Sequence, residues 1–296
     1  MGIPTADPVM VAPTPMPFDE ADRLGVDALA RNVERWLETP LSGFVLGTAN
    51  GEELFLSEDE KMAAIRAVAK AHGGRRFVIA GIDSPSVTDT LRTAERAAAA
   101  GADMVRLRLP RFGNVVRYFE AVLPRSPLPV IVIHQVDPGL FTRPGPFAAT
   151  PEEIGRVCGM DNVYAYITDH NVRFEARVRR FVPAACKFWA CNGSLLLPMV
   201  LAGANGACMA LGNVAPGLCM DILKLGSEGR FAEAQPLQAR AGAADWPILR
   251  HGAAGLKYAL DLLGFEGGPP RWPTPPLGPE AGAGIEAGLR EAELLG

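Results

Sequence analysis

Eight short β-rich runs recur along the chain, each followed by room for a helix, and no other feature restricts the fold as strongly. They are Val9–Ala12, Gly43–Gly47, Arg76–Ile82, Met104–Leu109, Val130–His134, Val163–Thr168, Lys187–Cys191 and Gly206–Leu211. A strand that returns parallel to its predecessor needs a long crossover, normally a helix, so this alternation means βαβ units and a parallel sheet. Eight such strands in 296 residues favour closure into an α/β fold of the (β/α)8 TIM-barrel type over an open sheet.

The helical runs carry their own punctuation. Ser57 and Glu60 are spaced as a capping box for a helix reaching Lys70, each side chain satisfying a backbone N–H of the other's turn. Ser86 to Ala100 ends at Gly101, and Thr150-Pro151-Glu152-Glu153 places proline in the first turn of another helix, where its missing N–H costs nothing. After the eighth run the pattern becomes purely helical: Gly217–Ser227, Arg230–Trp246, Ala253–Leu263 and, past a proline-rich bend, Glu280–Leu295. The expected organisation is a barrel over residues 1–225 and a C-terminal helical extension over 226–296.

Composition narrows the function. The net charge of -4 offers no concentrated basic face, so nucleic acid and anionic membranes are not expected partners. The N-terminus has no secretory pattern, and the apolar stretch Leu195–Leu211 is broken by Pro198, glycines and Asn205, too interrupted to span a bilayer. The five cysteines have irregular spacing and no CxxC, which fits buried thiols in a reducing, cytoplasmic compartment.

The run Gly43-Phe44-Val45-Leu46-Gly47-Thr48-Ala49-Asn50-Gly51-Glu52, followed by Leu54-Phe55-Leu56-Ser57, resembles the strand-two loop and helix start of the dihydrodipicolinate synthase / N-acetylneuraminate lyase family, nearest in look to its 4-hydroxy-2-oxoglutarate aldolase branch. The resemblance continues in phase through Gly101-Ala102-Asp103, Pro127-Leu128-Pro129-Val130-Ile131, Ala202-Gly203-Ala204-Asn205-Gly206 and Gly267-Gly268-Pro269-Pro270-Arg271-Trp272-Pro273, covering nearly the whole chain. It implies the barrel fold, a cytoplasmic location and a homodimer or homotetramer.

The family forms a Schiff base between a lysine late in strand six and a 2-oxo acid, which needs an amine kept neutral by burial. The family pattern lays Ile167 on that lysine; a one-residue shift would lay Thr168 there. Ile133 falls on the strand-five tyrosine, Phe112 (or Gly113) on the tyrosine after strand four, and Ala49 and Asn50 on the two hydroxyls of the strand-two loop. The lysines present are Lys61, Lys70, Lys187, Lys224 and Lys257; by position they fall on surface or C-terminal helices or, for Lys187, at the opposite end of the barrel.

Strand alternation selects what faces inward. Ile167 brings Ala165 and Asp169 with it, while Tyr164 and Tyr166 face the helices. On strand four, Val105, Leu107 and Leu109 form an apolar outer face, which turns Arg106 and Arg108 into the barrel, with Asp83 in phase to pair with one of them. Buried guanidiniums need anionic partners. Two readings stand: an internal Arg/Asp network that binds nothing, or a site gripping a carboxylate or phosphate, extended by Arg111. His134 and His170 end strands five and six at the face where barrel chemistry gathers, as acid/base groups or as plain loop histidines. Asp169, His170, His134 and Asp83 also supply metal-ligand types, and Cys191 is a nucleophile or a small core residue. No cofactor and no metal is expected.

The functional expectation is a lyase or isomerase of altered mechanism on a small carboxylated substrate. Arg106, Arg108, Asp83, Ala49 and Thr168 would bind it, His134, His170 and Asp169 would move protons, and Asn50 would polarise a carbonyl. The alternatives are a catalytically silent relative that assembles with a partner, and a conventional pyruvate-type aldolase or synthase.

Overall fold

The computed structural model describes residues 6–110, 113–134 and 149–296. Eight parallel strands close into a barrel in chain order: β1 (Val9–Pro13), β2 (Gly43–Leu46), β3 (Phe77–Ile82), β4 (Met104–Arg108), β5 (Val130–Ile133), β6 (Val163–Ile167), β7 (Lys187–Ala190) and β8 (Gly206–Cys208). The expected strands are all present, most of them a residue shorter at the C-terminal end. The eighth is shortened most. It stops at Cys208 because the chain turns directly into a helical turn, Leu211–Val214, where the Asn213 amide donates to the Pro13 and Ala210 carbonyls at 3.0 Å each.

Around the barrel run α1 (Val26–Trp36), α2 (Glu58–His72), α3 (Val87–Ala100), α4 (Val115–Val122), α5 (Pro151–Cys158), α6 (Val172–Val178), α7 (Leu196–Leu201), α8 (Leu211–Val214) and α9 (Pro216–Ser227). Then follow α10 (Phe231–Leu249), α11 (Gly252–Leu262) and α12 (Pro279–Glu291). The capping signals hold: Ser57 with Glu60 and Thr150 with Glu153 form complete capping boxes, and Gly101 ends α3 in the left-handed conformation. The short helices α4 and α6 start at asparagine caps, Asn114 accepting from the Arg117 N–H at 3.0 Å and Asn171 from the Phe174 N–H at 3.1 Å, whereas α7 has no side-chain cap.

Two apolar layers follow from alternation along each strand. Val11, Ile79, Met104, Ile131, Ile167 and Trp189 point inward, while Ala12, Phe44, Val78, Leu107, Val132 and Phe188 join the shell under the helices. Full burial of each large side chain contributes roughly 1.5–3 kcal/mol. Trp189 fills the barrel interior only because β8 offers Gly206, where an added Cβ would fall 2.7 Å from the indole. Gly81 lets β3 approach β2: a Cβ there would fall 2.1 Å from the Gly47 carbonyl oxygen.

One inside/outside assignment needs correcting. Tyr166 faces the helices as expected, but Tyr164 packs edge-on against Trp189, at 5.8 Å between ring centroids, as part of the inner cluster. The cause is a bulge: Val130 pairs with Val163 while Ile131 pairs with Ala165, so Tyr164 is an extra residue in the β6 register and is rotated out of phase.

Among the described residues no helix is long and apolar enough to cross a membrane.

Candidate active site at the C-terminal mouth

A cavity of about 600 Å³ opens at the C-terminal ends of the strands, the face from which barrel enzymes work. Its walls include Thr48, Ala49, Asn50 and Glu53 after β2, Arg106 from β4, Ile133 from β5, Thr168 and His170 after β6, and Cys191 after β7. The C-terminal helices close one side with Arg250 and His251, between α10 and α11. This part of the wall lay outside the sequence expectation, since nothing marks an interhelical Arg-His-Gly as facing a barrel mouth. α10 is fastened there by Asp245, which accepts from the Ser194 backbone N–H at 2.9 Å and its hydroxyl at 2.8 Å.

The two arginines of β4 do face inward, and they are matched by two carboxylates. Arg106 pairs with Asp83, and with Glu53 at 3.4 Å; Arg108 pairs with Glu53 at 3.0 Å and Asp83 at 3.2 Å. The four charges sum to zero. Burial opposes the Asp83 charge, but Arg106 and Arg108 outweigh it and hold the carboxyl below its usual range. Burial and the Asp83 charge win at Glu53 and raise it. Glu53 was missed: a doubled Glu52-Glu53 is normally solvated, yet here the pair splits, Glu52 engaging Lys257 and Glu53 the arginines. The left-handed Glu52 backbone, φ 56°, turns the two side chains apart. Asp83 therefore serves as an internal counter-ion. Arg106 alone of the two arginines lines the cavity, its Nε buried and unbonded among the described residues.

His134 does not reach the cavity. By parity with Ile133 it points outward, 1% exposed, stacked on Phe174 at 4.9 Å with its Nδ1 3.5 Å from Glu175 Oε1. Glu175 organises this region from α6. It accepts from the Tyr166 hydroxyl at 3.0 Å and from the Asp169 N–H at 2.9 Å. Burial raises its carboxyl above the usual range, against the opposing pull of His134.

His170, Asp169 and Cys191 converge at the ends of β6 and β7, one donor atom of each lying within 4.8 Å of the others. Asn192 lies 2.9 Å from His170 Nδ1. The proposed metal partners His134 and Asp83 stay with Glu175 and the arginines instead. Burial, reinforced by Asp169 and Glu175, pushes the Cys191 thiol well up, so an unassisted thiolate nucleophile is not what this position supplies. Phe112 and Arg111 lie outside the described residues.

Ile167 is fully buried in the inner layer and Ile133 forms part of the cavity floor. None of the five lysines lines the cavity. Lys187 pairs with Asp7 at 2.7 Å at the opposite end of the barrel. Lys257, placed on α11 as expected, is far more buried than a helix surface position, at 1% exposure. It pairs with Glu52, donates to the Pro269 carbonyl at 2.9 Å and sits 4.4 Å over the Phe18 ring.

The model of the dihydrodipicolinate synthetase family matches residues 7–292. The chain belongs to that family. Among its relatives, the 4-hydroxy-tetrahydrodipicolinate synthase of Exiguobacterium sp. is 26% identical, covering 93% of this chain and 94% of the relative. The L-threo-3-deoxy-hexylosonate aldolase of Hypocrea jecorina is 27% identical, covering 92% and 91%. A prophage protein of the dihydrodipicolinic acid synthase family from E. coli K12, solved in complex with pyruvate, superposes with a TM-score of 0.86 at 21% identity, covering 97% of this chain and 98% of its own. The family thus groups this barrel with aldolase- and lyase-type proteins.

Proposed function

We propose that this family member is a lyase or isomerase that acts on a small carboxylate-bearing, 2-oxo acid-like substrate without a lysine imine. What supports the reading is the sequence resemblance, which lays Ile167 (or, shifted by one residue, Thr168) on the family's lysine and Ile133 on its tyrosine, together with the polar groups that line the cavity beside Ile133 and Thr168. An isoleucine cannot attack a carbonyl, and a lysine already paired with Glu52 is a poor substitute. Arg106 and Arg250 supply guanidinium charge for a carboxylate. Asn50, Thr48 and Thr168 supply the directional polar contacts that fix a small ligand's orientation. The Thr48 hydroxyl is buried and makes no hydrogen bond among the described residues, as expected of a group kept for a ligand. His170 is the proton-moving group, with Asp169 beside it; Arg108 and Asp83 act on the substrate only through Arg106.

The zero-sum arginine network supports a second reading, a catalytically silent relative that binds or assembles with a partner. Family resemblance attaches homodimer or homotetramer formation to either reading, which sedimentation measures. A thermal-shift panel of small 2-oxo acids, sugar acids and phosphates separates them, because a ligand of the native state raises the Tm by mass action. The enzyme reading expects a carboxylate hit that Arg250→Ala weakens. No hit across the panel, with a normally folded variant, moves the case to the silent reading.

A further inference from the structure

We propose that Asp169, His170 and Cys191 form a binding site for a divalent cation of the zinc type, opening onto the cavity. The proposal deepens the reading above, because such an ion would take over the carbonyl-polarising task for which the family's lysine position has no amine.

The donor set is specific. A thiolate, an imidazole and a carboxylate together suit Zn²⁺ and related borderline cations, whereas Mg²⁺ and Ca²⁺ prefer oxygen alone. Three protein ligands plus one open position is the arrangement of catalytic zinc sites, while structural sites are closed by four. Donors around a tetrahedral ion at about 2.0–2.3 Å lie roughly 3.5 Å apart. Here they lie within 4.8 Å of one another, so gathering them needs side-chain adjustments of about 1 Å. His170 and Cys191 both line the cavity, which puts the fourth position on the substrate side.

An independent observation concerns Asn192. Its carboxamide sits 2.9 Å from His170 Nδ1, while its Oδ1 is buried and makes no hydrogen bond among the described residues. Turning the amide over places that oxygen on an Nδ1–H. This is the second partner that a metal-bound histidine ordinarily has, and it fixes the tautomer that frees Nε2. That Nε2 lies 3.9 Å from Asp169 Oδ1. Asp169 is itself held from behind, its N–H bonded to Glu175 Oε1 at 2.9 Å. Binding would take the Cys191 sulfur as thiolate, its proton passing to solvent.

Co²⁺ titration of chelator-stripped full-length protein tests this without any substrate. The expected result is one Co²⁺ per chain with a near-ultraviolet thiolate-to-cobalt band, displaced by Zn²⁺. Cys191→Ser abolishes that band, Cys208→Ser retains it, and His170→Gln, at an exposed and folding-tolerant position, weakens binding at least about tenfold. Asn192→Ala weakens it by about 10–100-fold, the usual cost of losing a ligand's supporting partner. Absence of the band in the wild type, or its survival in Cys191→Ser, overturns the proposal. Carboxylate binding in the thermal-shift panel is read separately, so either idea can fail without the other.

Discussion

The two sides of the cavity mouth handle charge in opposite ways. On the β3–β4 side, Arg106, Arg108, Glu53 and Asp83 neutralise one another inside the wall. On the β6–β7 side, Asp169, His170 and Cys191 bring donor atoms within 4.8 Å of one another, next to Thr168 in the cavity wall. Of its two arginines the first side presents only Arg106 to the cavity, tied to two carboxylates; the second presents His170 and Cys191. The donor atoms of the mouth are thus concentrated toward the ends of β6 and β7.

The comparison breaks most visibly at Asp83. Asp83→Ala leaves two buried guanidiniums facing one carboxylate and should cost about 3–5 kcal/mol in urea unfolding. Coupling it to Arg108→Met, which restores one cation to one anion, should recover much of that loss. A cost under about 1 kcal/mol for the single variant would show that the network is not needed for stability.

Glu175 sharpens the comparison from behind β6. Its folded carboxyl is raised by burial, so its contribution to stability is fully present below the unfolded value, near 4.5, and is lost as pH rises through the folded pKa. Wild type should therefore lose stability relative to Glu175→Gln as pH climbs above 4.5, measured by urea midpoints at several pH values. Parallel pH profiles would mean that the carboxyl is not shifted.

The smallest stability effects belong to the open side. Arg250→Ala and Cys191→Ser should each change unfolding by less than about 1 kcal/mol, since neither removes a buried partnered charge. Their effects should appear in ligand or metal binding instead. A large stability loss in either would make this side structural like the other.

Much of this contrast was legible in the sequence. The alternation of strands and helices led to the barrel, and the two-residue period on Met104–Arg108 turned both arginines inward with Asp83 in reach. What escaped depended on tertiary proximity. Glu53 comes from a loop rather than a strand, and Arg250 and His251 come from helices beyond the barrel, so no local period points at them. His134 was misplaced toward the cavity because position at a strand end was weighed above parity, although the alternation from Ile133 already turned it outward. Tyr164 was misassigned for the opposite reason: parity fails where a bulge inserts a residue.

Borohydride reduction in the presence of pyruvate, followed by mass spectrometry of the intact chain and its peptides, tests the central claim most directly. An imine on a lysine would be trapped as a stable adduct. The account predicts an unmodified mass under conditions that label a lysine-bearing family member. An adduct on any of the five lysines, Lys257 above all, would contradict it.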